Sequence, residues 1–233
     1  MTANAWTDQL SGERAALGRA STAARVADLL RSHITEGRLH PGARLSEEEL
    51  GAALGISRNT LREAFRLLTH ERLLVHEFNR GVFVRRLTLD DVRDLYRVRQ
   101  VLECGAIRHA RESGAAPALD AVRAAVDEGE AAAREDRWLD VGTANMHLHQ
   151  ALVALAGSPR IDDAMRHTLA ELRLVFHVMA APQAFHEPYL ADNRRLLQLL
   201  ESGALDAAED HLAAYLDRAE EQLAAACAED EAG

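Results

Sequence analysis

Arg58, Arg62 and Arg66 repeat at four-residue spacing, with Asn59 and Thr60 beside the first of them. On a helix this spacing stacks three guanidiniums along one stripe, where like charges repel by a few tenths of a kcal/mol per pair. The arrangement therefore makes sense against anions, and duplex DNA supplies them. An arginine fork binds phosphate or the O6/N7 edge of guanine, asparagine pairs with adenine, and the hydroxyl of Thr60 suits a base edge or a phosphate. The competing reading is a solvated basic face that binds nothing. Catalytic patterns do not compete. There is no glycine-rich phosphate loop, nucleophile elbow, Cys-His signature or carboxylate pair set apart from solvated faces, and no enzymatic activity is expected.

The elements that position those arginines are written around them. Leu61, Ala64, Phe65 and Leu68 fall at i, i+3, i+4 and i+7, one apolar stripe opposite the basic one. Ser57 is placed to cap this helix. Before it, Ser46 and Glu49 form a capping-box pattern between Leu45 and Leu50, and Leu54-Gly55 ends the short helix where glycine can turn the chain. That is helix-turn-helix grammar. Upstream, Val26, Leu29, Leu30, His33 and Ile34 give another helical stripe, broken by Gly37 to Gly42. Downstream, Leu73-Leu74-Val75 leads into Phe78-Asn79-Arg80-Gly81-Val82-Phe83-Val84, two strands around a turn in which Gly81 accepts positive φ. A β-ribbon after a recognition helix is a wing, with Arg80 at its tip.

The spaced motifs I-x-x-G-x-x-x-P-G-x-x-L, L-G-I-S-R-N-T-L-R-E-A-F-R-L-L and N-R-G-V-F-V resemble the winged helix-turn-helix of the GntR family of bacterial transcription regulators over about residues 22 to 86. The resemblance implies that Arg58, Asn59, Thr60 and Arg62 contact DNA, assisted by the Arg80-Gly81 tip; the four-residue spacing adds Arg66 on the same stripe. Arg72 stands where the family usually has glycine, at a cost of about 1 kcal/mol if that backbone is left-handed.

Composition divides the chain in two. Aromatics make up 4 % and apolar residues 48 %, so the apolar content is mostly alanine, leucine and valine, which favours helices. Residues 1–86 carry 13 arginines against 10 acids, a net of +3. Residues 87–233 carry 14 against 27, a net of −13, which together give the −10 of the whole. The basic share sits with the helix-turn-helix, and the acidic half repels DNA. No apolar run spans a bilayer and the start lacks a signal peptide's pattern, so the chain is expected in the cytoplasm, away from membranes. Cys104 and Cys227 are unpatterned and are expected to be reduced thiols. Residues 1–21 read as a loose lead-in whose Trp6 and Leu10 could dock on the body, and residues 228–233 as a loose acidic tail.

Between them, residues 88–227 read as six helices with short joints, an all-α bundle. Thr88 caps the first, which runs to Gly114. The second starts about Pro117, the third covers Leu139 to Ala156, and after the break at Gly157-Ser158-Pro159 the fourth continues to Ala181-Pro182. The fifth runs from Pro188 to Ser202 and the last from Leu205 to Cys227. Trp138 is expected in the core, and His167, His177 and His186 as surface or core fillers. The fold class expected for the chain is mainly α, a winged helix-turn-helix followed by a helical bundle.

The bundle resembles the FCD ligand-binding domain of the FadR subgroup of GntR regulators, through L-Y-R-V-R-Q-V-L-E-C-G-A-I at 95–107, N-M-H-L-H-Q-A-L at 145–152, A-G-S-P-R-I at 156–161 and L-L-Q-L-L-E-S-G-A-L-D-A-A at 196–208. Many members hold a divalent metal with an Asp-x-x-x-His pair and two further histidines. By position those places are Asn145, His149, Asn193 and Tyr215 here. Asparagine and protonated tyrosine are poor ligands for Zn²⁺ or Ni²⁺. The expectation is a metal-free polar pocket binding a small organic effector directly. Arg99, which the resemblance turns into that pocket, either clamps an effector carboxylate or phosphate or pairs internally with Glu103 at i+4. The whole reads as a homodimeric, metabolite-responsive repressor on a palindromic operator. The alternatives are a metal sensor using His149 with a displaced His211, and a constitutive DNA binder whose bundle only dimerises.

Overall fold

A computed structural model of the chain describes residues 14–35, 38–114, 117–176 and 182–232, with side chains from residue 22 to residue 225. The expectations for Trp6, Leu10, His177 and the side chain of Cys227 fall outside the described residues. The chain separates into two compact units with the boundary between Arg86 and Leu87.

The first unit runs α1 (Arg14–Thr35), β1 (Arg44–Leu45), α2 (Glu47–Leu54), α3 (Arg58–His70), β2 (Leu74–Glu77) and β3 (Gly81–Val84). The predicted stripe of α3 is the buried one: Leu61, Ala64, Phe65 and Leu68. They join Ala23, Val26, Ala27, Leu30 and Ile34 of α1 in the core. Ser57 is extended and its hydroxyl accepts the Thr60 amide, so α3 begins where the sequence placed its cap. At Ser46 only the hydroxyl half of the expected box is made, with Glu49 N at 3.3 Å. Gly55, at φ 64°, closes α2 in the left-handed conformation.

The sheet has the order β1-β3-β2, with β3 antiparallel to both neighbours. Sequence reading found the β2–β3 ribbon but not β1, whose two residues pair Arg44 with Phe83 and Leu45 with Val82. So short a strand leaves no alternation to detect. Arg72 does adopt φ 57°, the conformation in which a side chain is costly.

The second unit is helical: α4 (Leu89–Arg99), a π turn (Gln100–Cys104), α5 (Gly105–Ser113), α6 (Asp120–Arg134), α7 (Trp138–Ala154), α8 (Pro159–Phe176), α9 (Pro182–Glu201) and α10 (Leu205–Ala232). Because α4, the π turn and α5 are continuous, this is the expected six-helix bundle. A reciprocal capping box between Thr88 and Asp91 starts α4. The core gathers Val92, Leu95 and Tyr96 with Leu148, Leu152, Leu172, Leu196, Leu200, Leu212 and Leu216.

Four expectations need correction. Helix α9 starts at Pro182, and Pro188 lies inside it. Proline suits a helix start, and both prolines qualify by sequence. The structure uses Pro182 as the start and tolerates the amide missing at Pro188. The carbonyl of Ala184, four residues before Pro188, instead faces Gln222 Nε2 at 3.5 Å. Trp138 is only half-buried, its indole N–H donating to Asp136. Helix α1 reaches back to Arg14, into the expected lead-in, and α10 continues through the acidic end to Ala232. No described helix is long and apolar enough to cross a membrane.

Candidate functional site

Two sites emerge, one in each unit. On the first, Arg58, Asn59, Arg62 and Arg66 all lie on the exposed side of α3, opposite its buried stripe. Arg66 is 82 % exposed and leans on Glu63 at 3.4 Å. Arg62 is held by Glu47, a partner in α2 that sequence reading missed because the contact spans the turn. Thr60 is half-buried and its hydroxyl lies 2.8 Å from that of Ser57, so part of its hydrogen-bonding capacity serves the helix cap. At the wing, Asn79 (φ 59°) and Gly81 (φ 112°) make the turn. Arg80 pairs with Glu77 and its guanidinium lies 5.5 Å from the centre of the Phe83 ring. Phe78, at the same tip, is 84 % exposed.

The second site is buried in the bundle and drawn from four helices. Arg99 (α4), Asn145 and His149 (α7, one turn apart on one face) and Tyr215 (α10) line a narrow, partly open cavity. Tyr96, Met146, Leu169, Leu172, Phe176 and Phe185 supply much of its apolar wall. Asn193 (α9) joins them through hydrogen bonding. Asn145 Oδ1 accepts both Asn193 Nδ2 at 2.9 Å and Tyr215 OH at 3.1 Å. The four positions singled out in the sequence therefore meet, although they lie up to 70 residues apart.

At the other end, Glu103 bridges two partners. Its Oε1 accepts from Arg99 Nε at 2.9 Å and its Oε2 stands 2.6 Å from His149 Nδ1. All three side chains are at most 3 % exposed. Burial opposes the charge of Glu103, but the hydrogen bond from His149 and the charge and hydrogen bond of Arg99 outweigh it and hold the carboxyl below its ordinary range. Burial and the neighbouring Arg99 charge push His149 down, keeping it neutral. A neutral ring donating from Nδ1 to a carboxylate carries its free lone pair on Nε2. Burial pushes the Tyr215 phenol far up, so it stays protonated. Burial likewise pushes the Tyr96 phenol to about 12, and its ring lies 4.8 Å from the Arg99 guanidinium.

Three polar atoms here are buried without a hydrogen-bond partner: Arg99 Nη2, His149 Nε2 and Asn193 Oδ1. Each is costly in an apolar interior unless something meets it. Of the two sequence readings of Arg99, the internal pair with Glu103 is made. Its Nε is spent on Glu103 and its Nη2 is not. His211, the alternative metal ligand, instead lies against Asp192, 3.1 Å from the backbone oxygen. His147 turns away to Glu128, as its spacing implied. Among the described residues no group of three or more His, Cys, Asp or Glu could hold a metal ion.

A winged helix-turn-helix with an arginine-bearing recognition helix, joined to a helical bundle with a polar buried pocket, defines a ligand-binding class of DNA-binding regulator. The chain belongs to the gntR family of bacterial regulatory proteins: that family's model matches residues 22–84 and the FCD domain matches residues 94–218. It is similar to a solved GntR transcriptional regulator from Rhodococcus sp. RHA1, with 44 % identity, a TM-score of 0.83, and 88 % of this chain and 99 % of that one covered. Over 85 residues it is 42 % identical to the HTH-type transcriptional regulator BphR of Paraburkholderia xenovorans (strain LB400), covering 36 % of this chain and 35 % of that protein. Over 204 residues it is 29 % identical to a protein of Paenarthrobacter nicotinovorans named as a D-xylose utilization operon transcriptional repressor of probable status, covering 86 % and 89 %. The chain is a DNA-binding transcription regulator.

Proposed function

We propose that this regulator is a cytoplasmic, homodimeric repressor that binds a palindromic operator through Arg58, Asn59, Thr60, Arg62, Arg66 and the Arg80-Gly81 wing tip, and that a small organic anion releases it. The observation that carries the reading is a pair of unmatched buried atoms, Arg99 Nη2 and His149 Nε2, on two residues that line the cavity. One donates with a positive charge and the other accepts. A carboxylate or phosphate meets the first, and a hydroxyl or amide proton on the same molecule meets the second.

The site takes no resident metal. Asn145 Oδ1 already accepts two hydrogen bonds, Tyr215 is held as the phenol, and the carboxylate of Glu103 is engaged by Arg99 and His149. Asparagine and phenol do not offset a divalent charge, and the one carboxylate is already balanced by Arg99. The chain's role is binding and not catalysis. For a ligand to release DNA, it must bind one arrangement of the dimer better than the other.

Native mass spectrometry of freshly purified protein tests this first. A dimer carrying an organic mass, which on addition to a gel-shift reaction releases operator, is the expected result. A metal-sized adduct would replace the metal-free pocket with a site built on His149 and His211. A dimer that no carboxylate or phosphate in a broad thermal-shift panel stabilises would leave a constitutive DNA binder.

A further inference from the structure

Arg62 is fixed from outside its own helix. Its Nε lies 2.9 Å from Oε1 and 3.0 Å from Oε2 of Glu47, the first residue of α2, fifteen positions earlier. This carboxylate grips one edge of the guanidinium plane. The two terminal amino groups keep no partner among the described residues. Arg66, by contrast, has only a long contact to Glu63 on its own helix.

We propose that Glu47 is a specificity-determining positioning residue for DNA reading. Holding Nε fixes the plane of the guanidinium, so that Arg62 meets a base edge end-on through its terminal amino groups. Standing as an anion beside the arginine, Glu47 also penalises registers in which Arg62 is spent on a phosphate, since the carboxylate must then approach the backbone's charge. The proposal rests on reading α3 as the DNA-contacting helix.

Folding alone gives the pair little to do. Arg62 is 61 % exposed and Glu47 31 %, and exposed ion pairs add little stability. Glu47 also favours the positive end of the α2 dipole, but Glu48 and Glu49 share the same first turn. Removing Glu48 therefore reproduces the dipole effect without touching Arg62.

The test uses a duplex selected from a random pool by the full-length wild-type protein, and a scrambled duplex of equal length, titrated at several salt concentrations. Glu47→Ala is compared with Glu48→Ala and Arg62→Ala, after thermal melts establish that each variant is folded. In Glu47→Ala the freed arginine can reach a phosphate. Its affinity for scrambled duplex rises and the log–log salt slope for that duplex steepens by about 0.9. The ratio of selected to scrambled affinity falls by about fivefold to a hundredfold, the range one bidentate base contact supplies. Glu48→Ala leaves ratio and slope at wild-type values. An unchanged ratio and slope in Glu47→Ala, with selected-duplex binding lost in Arg62→Ala, overturns the role of Glu47 while keeping α3 as the reading helix. If Arg62→Ala also binds the selected duplex like wild type, the assignment of α3 fails and the role of Glu47 fails with it.

Discussion

Glu103 and His149, 46 residues apart, stand 2.6 Å apart between Oε2 and Nδ1 with both side chains at most 2 % exposed. The other oxygen of the same carboxylate neutralises Arg99. Glu103→Gln should therefore strand a buried guanidinium and cost about 3–5 kcal/mol of unfolding free energy, the usual result of removing one partner from a buried ion pair. Urea denaturation followed by circular dichroism measures it. A loss below about 1 kcal/mol would mean that water reaches the pair.

Arg99→Lys keeps the charge beside Glu103 but removes the fork that leaves Nη2 free. Operator affinity without effector should stay at the wild-type level, while the effector concentration needed to release DNA rises by at least about tenfold, the loss of one charge-assisted hydrogen bond. A gel-shift titration with and without effector separates the two. Unchanged release would confine Arg99 to its internal pair.

Arg62→Ala should weaken selected-duplex binding by about 1–3 kcal/mol if the residue reads a base. Arg66→Ala, at a more exposed point of the same stripe, should instead weaken all sequences alike and flatten the salt slope by about 0.9 if it meets a phosphate. Fluorescence anisotropy across a salt series distinguishes these outcomes. Loss of discrimination in Arg66→Ala would exchange the two roles.

Acid should weaken the bundle through His186. This ring is buried in α9 with Nδ1 unpartnered, and burial, helped by the Arg173 charge, holds it down at about 4. The unfolded chain takes up that proton near 6.5, so between those values it binds more protons than the native state does. Stability is highest above pH 6.5 and falls as pH drops towards 4, by up to about 3 kcal/mol from this residue. His149, also pushed down, adds in the same direction. Denaturation at pH 7.5 and 4.5 should show a smaller acid loss in His186→Leu than in wild type, and equal losses would acquit His186.

What the sequence made legible was whatever is local. The α3 stripe from Leu61 to Leu68, the Ser57 cap and the Arg99–Glu103 spacing each lie within one helix, and their periods are readable directly. Resemblance carried Asn145, Asn193 and Tyr215 to a common place, where they share Asn145 Oδ1. Illegible were contacts whose partners lie on different elements. Glu103 could be paired with Arg99 by counting, but its second bond to His149 depends on how α4 and its π turn pack on α7. The same holds for Glu47 with Arg62. It holds too for Gly142, where a Cβ would come within 2.7 Å of His186 Nε2, so that a small residue in α7 makes room for a ring in α9. Pro188 misled because its signal for a helix start is sound in general, and here Pro182 already fills that role.

The π turn at Gln100–Cys104 sets a limit of another kind. Buried positions along this helix are 92, 95, 96, 99, 103, 104, 106, 107 and 110. The two successive four-residue steps at 99, 103 and 107 would let an α-helical face drift by about 80°, which the wider turn absorbs. Val101, inside the turn, is 74 % exposed, so its identity is open to change. Its place in the count is the surplus. With one residue deleted there, the seven that carry Arg99 to Ile107 turn an ordinary α-helix through about 700°, and Ile107 still faces the core. The letters at Glu103 and Cys104 are fixed by burial, whereas the length of the turn holds one residue more than a regular helix needs.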